Sequence, residues 1–248
     1  MPPRSPDPLP AAVLAGGLGT RLRPLTHATP KVMVEVNGKP FIHYPLRMLA
    51  RRGIRRVVLC LGYRGAEVEA YVADGTRFGL EVAYSYDGAP GDGTLRGTAG
   101  AIRQALPLLG ERFWVMNGDT YLDTDYPAIH RHYLRNALEN LVVVYRNRNR
   151  GWPSNVALGA DGRCTYRKAS PTPEMEHIDA GAAILTAAAI RSGGDEPSLS
   201  VLYESLGACG ALAAYEVAER LYEINTPAGL RRTTRHLERL SREESPCL

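Results

Sequence analysis

The sequence predicts a three-layer α/β fold in which a mostly parallel central sheet carries helices on both faces. Three observations lead there. Apolar runs of strand length alternate with longer helical patterns through residues 11–145. One run breaks into a glycine-rich turn and another ends at an aspartate, so both polar motifs fall at the carboxyl ends of strands, where such sheets bind ligands. With 44% hydrophobic and 23% charged residues, the 248-residue chain can bury a sizeable core.

The elements follow in order. Residues 1–10 (MPPRSPDPLP) form a Pro-rich tail, expected to be disordered, ahead of a single domain over 11–248. The tail has neither an apolar core nor a small-residue cleavage site, so it does not read as a secretory signal. Residues 11–15 (AAVLA) are a buried strand. A helix is expected over 41–52, stopped by Gly53. Strands follow at 57–61 and 80–85, then a helix at 98–109. A buried strand at 112–116 runs into Asn117-Gly118-Asp119, and 141–145 is a further strand. The polar, glycine-rich stretch 85–97 (SYDGAPGDGTLRG) reads as a mobile loop beside the ligand, and a polar, mainly basic helix begins near Thr226.

Several classes are set aside. A net charge of +4 is too small and too dispersed for a nucleic-acid partner. No run of 18 apolar residues predicts a membrane span. Cys60, Cys164, Cys209 and Cys247 stand far apart without CxxC spacing, which argues against a disulfide framework or a cysteine metal site. A cytoplasmic monomer or homodimer is expected. His130 and His132, two apart on a helix, point to different faces. Arg146, Arg148 and Arg150 alternate with asparagines and read as a solvated loop.

The chemistry concentrates in Gly16-Gly17-Leu18-Gly19-Thr20-Arg21. Glycines let main-chain N–H groups approach a ligand and adopt positive φ without a Cβ penalty, and successive N–H groups form an anion-binding concavity. Ten residues after Arg21 comes Lys31, behind Pro30. Backbone donors, an arginine and a lysine on one short segment suit a polyphosphate. No G-x-x-x-x-G-K-[ST] run occurs, and G-x-G-x-x-G fails because Leu22 stands at the third glycine position. The loop is neither a Walker A nor a dinucleotide loop.

GGLGTRLRPLT and TPKVMVEVNGKPFI are followed in order by GTAGAI (97–102), NGDTYLD (117–123), HIDAGAAI (177–184) and YEINTP (222–227). Together these blocks resemble the sugar-1-phosphate nucleotidylyltransferases, with the short heptose-1-phosphate guanylyltransferase type the most similar. The resemblance implies a Rossmann-like fold of the nucleotide-diphospho-sugar transferase type. It also implies Mg²⁺-dependent condensation of an NTP with a sugar 1-phosphate, giving NDP-sugar and pyrophosphate.

Carried onto this chain, it gives Arg21 the departing β- and γ-phosphates and Lys31 the charge at the α-phosphate. Ala15, Gly16, Gly17, Gly19, Thr20, Asp87, Gly97 and Thr98 would bind the nucleotide. Asn117, Gly118, Lys168, Asp179 and Gly181 would border the sugar phosphate, although the family's acidic-lysine-proline setting is absent around Lys168. Asp119 and Glu223 would hold Mg²⁺, with glutamate where the family usually has aspartate and Asn225 where it has glycine. A carboxylate from Asp87 or Asp92 can accept from guanine N1–H and N2–H₂, which ranks GTP first. Two alternatives share the fold: the same chemistry on a non-sugar phosphate or phosphonate, and a non-catalytic nucleotide-sugar-binding regulator. A glycosyltransferase is a further rival, because Asp123-Thr124-Asp125 matches an Asp-x-Asp metal motif by letter.

Overall fold

The computed structural model describes residues 7–88 and 95–244. Its first half runs β1 (Ala11–Leu14), β2 (Glu35–Val36), β3 (Lys39–Pro40), α1 (His43–Arg51), β4 (Arg56–Leu61), α2 (Gly65–Val72), β5 (Glu81–Tyr86), α3 (Gly97–Leu109) and β6 (Arg112–Asn117). Then come β7 (Thr120–Tyr121), α4 (Tyr126–Arg135), β8 (Asn140–Arg146), β9 (Val156–Leu158), β10 (Cys164–Tyr166) and β11 (His177–Thr186). The chain closes with α5 (Ala187–Ser192), α6 (Leu199–Ala208), β12 (Leu212–Val217), β13 (Tyr222–Glu223) and α7 (Pro227–Glu244).

The central sheet has two characters. β5, β4, β1 and β6 lie side by side and all run parallel. β11 then enters antiparallel between β6 and β8, and β12 pairs with β8 in parallel. An antiparallel arm of β9 and β10 leaves the sheet at the start of β11. The parallel half matches the sequence expectation. The reversal at β11 does not announce itself, because a strand buried on both faces lacks the alternation that would mark it.

Side-chain alternation splits the core between the two faces. Ala11 and Val13 join Val57, Leu59, Trp114 and Leu141 on one face, beneath α1, α2, α4 and α7. Ala12 joins Val58, Phe113, Val115 and Val142 on the other, beneath α3, α5 and α6. Burying a period-two strand on both sides requires two helical layers, and the three-layer expectation holds.

The expected strand and helix positions match within one or two residues. The helix expected at 41–52 starts at His43, while Phe41 and Ile42 are buried just ahead of it. Packing begins slightly earlier than Ala11: Pro10 O accepts from Trp114 N at 2.9 Å, and Leu9 packs against the core. The rest of the expected tail, residues 1–6, lies outside the described residues. So does the middle of the expected loop at 85–97, including Asp92, although β5 itself continues to Tyr86. The C-terminal helix is amphipathic rather than wholly solvated, with Leu237 buried and Leu230 and Leu240 packed against the core.

Candidate active site

Two features of β1 prepare the glycine loop. Ala15 N donates to Cys60 O at 2.8 Å, continuing the line of the sheet for one residue. Beyond it the backbone must turn in close quarters. Gly19 has φ +62°, and a Cβ there would stand 2.9 Å from Thr26 Cγ2 and 3.0 Å from Lys31 Cβ. Glycine is therefore required twice over, for its dihedral and for space. Thr26 Oγ1 pins the turn by donating to Gly19 O at 2.8 Å. Buried Leu22 anchors the following single turn and leaves Arg21 exposed.

Lys31 opens another single turn, after Pro30 and before buried Val32, and is only 9% exposed itself. A lysine so deeply buried needs acceptors. Its Nζ donates to Asp119 Oδ2 and to Asn225 Oδ1. Asn225 Nδ2 in turn donates to Glu223 Oε2 at 2.5 Å. Carboxylate, ammonium, amide and carboxylate thus form one chain. The amide orientation follows from its neighbours, since the reverse would set NH₂ against the ammonium and oxygen against the carboxylate.

The backbone explains why these residues meet. β7 and β13 pair antiparallel, with Glu223 opposite Thr120, and Ile224 N donates to Asp119 O at 3.1 Å. From α7, Thr233 Oγ1 donates to Glu223 O at 3.0 Å, and His236 stacks on Tyr222 with centroids 3.7 Å apart. Burial raises the Glu223 pKa, the Asp119 charge raises it further, and the Asn225 hydrogen bond opposes both. Asn225 is the contact that sequence reasoning missed. Its only signal was its departure from the family's glycine.

These elements enclose a cavity of about 420 Å³. Gly16, Gly17, Gly19, Thr20 and Arg21 line it from the glycine loop, with Lys31 next to them. Asp87, Gly97 and Thr98 come from the end of β5 and the start of α3. The positive end of a 13-residue helix therefore faces the same space. Asn117, Asp119, Lys168 and Asn225 close the far side. Asp87 Oδ1 also accepts from Arg96 N at 2.9 Å, tying together the two ends of the loop that reaches α3. Cys60 lines the cavity as well, but burial pushes its thiol up to about 12, so it stays neutral and is no nucleophile.

A smaller cavity of about 180 Å³ adjoins the first, sharing Thr98, Asn117 and Lys168 with it. Asp179, Gly181, Tyr166 and Tyr203 line it together with Ser198 and Ser200. The register of β11 shifts between Asp179 and Ala183, and Gly181 there has φ +81°. Asp179 Oδ2 accepts from Tyr166 OH at 3.1 Å and its Oδ1 from Gly181 N at 2.8 Å. Burial raises its pKa, and the Gly181 N–H, Lys168 and Tyr166 all work the other way. The two cavities are also joined mechanically: Leu199 N donates to Thr98 Oγ1 at 2.9 Å, and Ala99 N to Pro197 O at 2.8 Å.

Ala15 and Gly118 do not line either cavity. Gly118 N donates to Leu14 O at 2.9 Å, and a Cβ on Gly118 would stand 2.5 Å from that oxygen. Its place is therefore the tight crossing between the ends of β1 and β6. Glu223 stands one amide away from the larger cavity, behind Asn225. The Asp-x-Asp letters have structural work instead: Asp123 Oδ1 accepts from Arg52 Nε at 2.7 Å, and Asp125 caps α4 through Ala128 N at 2.9 Å. Arg146 pairs with Glu176.

Among the described residues no group of three or more His, Cys, Asp or Glu could hold a metal. Asp119 lines the larger cavity and Glu223 does not, and the two carboxylates are linked through Lys31 and Asn225, whose donors they accept. A carboxylate facing a phosphate cavity is the donor type that Mg²⁺ takes, which Asp119 satisfies directly and Glu223 satisfies once the Asn225 amide turns aside.

The nucleotidyl transferase family profile matches residues 10–151, more than half of the chain. The chain belongs to that family. Among curated relatives, N-acetylmuramate alpha-1-phosphate uridylyltransferase of Neisseria meningitidis is 43% identical over 119 residues, covering 48% of this chain and 50% of the relative. The D-glycero-alpha-D-manno-heptose 1-phosphate guanylyltransferase of Campylobacter jejuni is 36% identical over 115 residues, covering 46% and 49%. These matches span about half the length of each relative. Among solved structures, HddC from Yersinia pseudotuberculosis complexed with GMP-PN superposes with a TM-score of 0.76 at 24% identity, covering 92% of this chain and 99% of that one. The fold is therefore that of the nucleotide-diphospho-sugar transferases, as expected.

Proposed function

We propose that this nucleotidyltransferase condenses a nucleoside triphosphate with a sugar 1-phosphate, releasing pyrophosphate. The observation that carries this reading is Lys31, buried and held between Asp119 and Asn225 at the floor of a glycine-loop cavity that opens into a second, hydroxyl-rich one. A phosphate oxygen of the acceptor attacks the α-phosphorus in line. The bond from that phosphorus to the bridging oxygen breaks, and pyrophosphate leaves with the electron pair. The nucleophile is already an anion, so the site needs alignment and charge neutralisation rather than a general base.

Loop N–H groups and the α3 N-terminus hold the triphosphate. Arg21 offers a planar fork of donors to the β- and γ-phosphates. Lys31 neutralises charge at the α-phosphate. Lys168 and Asn117, on the boundary between the cavities, orient the attacking phosphate. Asp119 and Glu223 would hold Mg²⁺, which supplies further charge neutralisation on the phosphates. Asp87 at the base end favours guanine, while the curated relatives include uridylyl-, guanylyl- and thymidylyltransferases alike.

Pyrophosphate release with Mg²⁺, crossing five nucleoside triphosphates with mannose, glucose and heptose 1-phosphates, tests the reading. Release with one sugar and a preference for GTP is expected. Silence with every sugar, accompanied by release with phosphocholine or a phosphonate, would overturn it.

A further inference from the structure

The smaller cavity says something about the acceptor that the larger one does not. Its charged lining consists of Lys168, on the boundary with the nucleotide cavity, and Asp179, deeper in. Among the described residues no arginine lines it. The other polar groups are hydroxyls and one amide: Tyr166, Tyr203, Ser198, Ser200, Thr98 and Asn117. Ser198 Oγ and Ser200 Oγ stand 2.8 Å apart, each able to donate or accept. An acceptor whose phosphate sits against Lys168 therefore places its body against one carboxylate and several hydroxyls.

Asp179 is built as an acceptor. An ionised carboxylate offers about four lone-pair positions. Tyr166 OH and Gly181 N fill two of them, while Asp179 N is fixed separately by donating to Asn155 Oδ1 at 3.0 Å. About two positions remain for a ligand, the number that adjacent hydroxyls of one pyranose ring can supply. A recessed carboxylate accepts such donors readily, but a second carboxylate close by is repelled through a low-dielectric medium.

We propose that this cavity selects uncharged polyhydroxy sugar 1-phosphates and discriminates against sugars that bear a carboxylate on the ring or on an ether arm. Asp179 is the specificity-determining residue and Tyr166 its positioning residue. The inference rests on the nucleotidyltransferase reading above and adds the charge class of the acceptor.

The test measures binding as well as turnover. Calorimetry with full-length protein, Mg²⁺ and a non-hydrolysable GTP analogue compares mannose 1-phosphate, glucose 1-phosphate, glucuronic acid 1-phosphate, N-acetylmuramic acid 1-phosphate and phosphocholine. The neutral sugars should bind at least ~100-fold more tightly than the acidic pair. Asp179→Asn keeps the shape and removes the charge, so it should shrink that ratio to about tenfold or less. Tyr166→Phe should raise KM for the sugar several-fold and leave KM for the nucleotide and kcat near wild type. Folding of both variants is checked by thermal melting, and Asn155→Ala, which disturbs the same strand without touching the charge, should leave the neutral-to-acidic ratio unchanged.

Equal or tighter binding of the acidic sugars by wild type, or an unchanged ratio in Asp179→Asn, would overturn the inference. Tight binding of neutral sugars without pyrophosphate release from any of the five nucleoside triphosphates would instead sink the catalytic reading and leave the charge selectivity standing. Preferential binding of phosphocholine would overturn both.

Discussion

The two ends of the proposed active site, one assigned to the nucleotide and the other to the sugar, are built on opposite principles. The nucleotide end hangs on the parallel strands β1, β4, β5 and β6, and its chemistry sits in short connections: a glycine loop, a helix N-terminus and an aspartate just past a strand. The sugar end gathers side chains from β10, the shifted register of β11 and the start of α6. In the first region the backbone itself is the proposed ligand-binding group, and at Gly19 the positive φ and the contacts with Thr26 and Lys31 enforce glycine. In the second, side chains on rigid elements do the selecting, and many residue types fit the same backbone.

Replacing the ammonium at the junction should give the largest effect. Lys31→Ala is expected to lower kcat about 10³-fold, with Asp119→Ala similar, because each removes a charge partner at the α-phosphate. Both variants should stay folded but melt below wild type, Asp119→Ala the lower because it leaves the buried ammonium with Asn225 as its remaining acceptor. If Lys31→Ala kept near-normal turnover, the nucleotide end would not be where the chemistry occurs. Gly19→Ala comes next. The strained dihedral and the contacts with Thr26 and Lys31 should cost about 2 kcal/mol in denaturant unfolding, and KM for the nucleotide should rise while KM for the sugar stays put. A rise in the sugar KM alone would break the division between the two ends.

Asn225→Gly sharpens the picture of the junction. It removes the amide between Lys31 and Glu223 and should weaken Mn²⁺ binding, read by paramagnetic relaxation, about 10-fold, with a similar loss in turnover. Unchanged metal binding would show that the amide serves packing alone. The smallest effect belongs to Asp125→Ala. Losing the α4 cap should cost about 1 kcal/mol with no change in kcat, whereas a large loss of turnover would revive the Asp-x-Asp metal reading.

How much of this was legible in the sequence follows the same divide. Gly19, Arg21, Lys31 and Asp119 were readable because a phosphate loop constrains both residue type and spacing over a short stretch. The parallel strands were readable because each is a compact apolar run. Tyr166, Ser198 and Tyr203 left no signal, since they come from three separate elements and are ordinary core or turn residues one at a time. β11 carries a legible motif but no legible strand period, because its burial on both faces hides the period of two. Asn225 was visible only as an oddity. That its amide bridges a buried lysine and a glutamate depends on the β7–β13 pairing, which two-residue strands cannot advertise.

A crystal structure with the nucleoside diphosphate sugar product and Mg²⁺ tests the two-ended account most directly. The account predicts the base beside Asp87, the diphosphate over Lys31 and Asn117 between the glycine loop and the α3 N-terminus, and the sugar hydroxyls on Asp179. A product with its sugar outside the Asp179 cavity, or with its diphosphate away from Lys31, would contradict it.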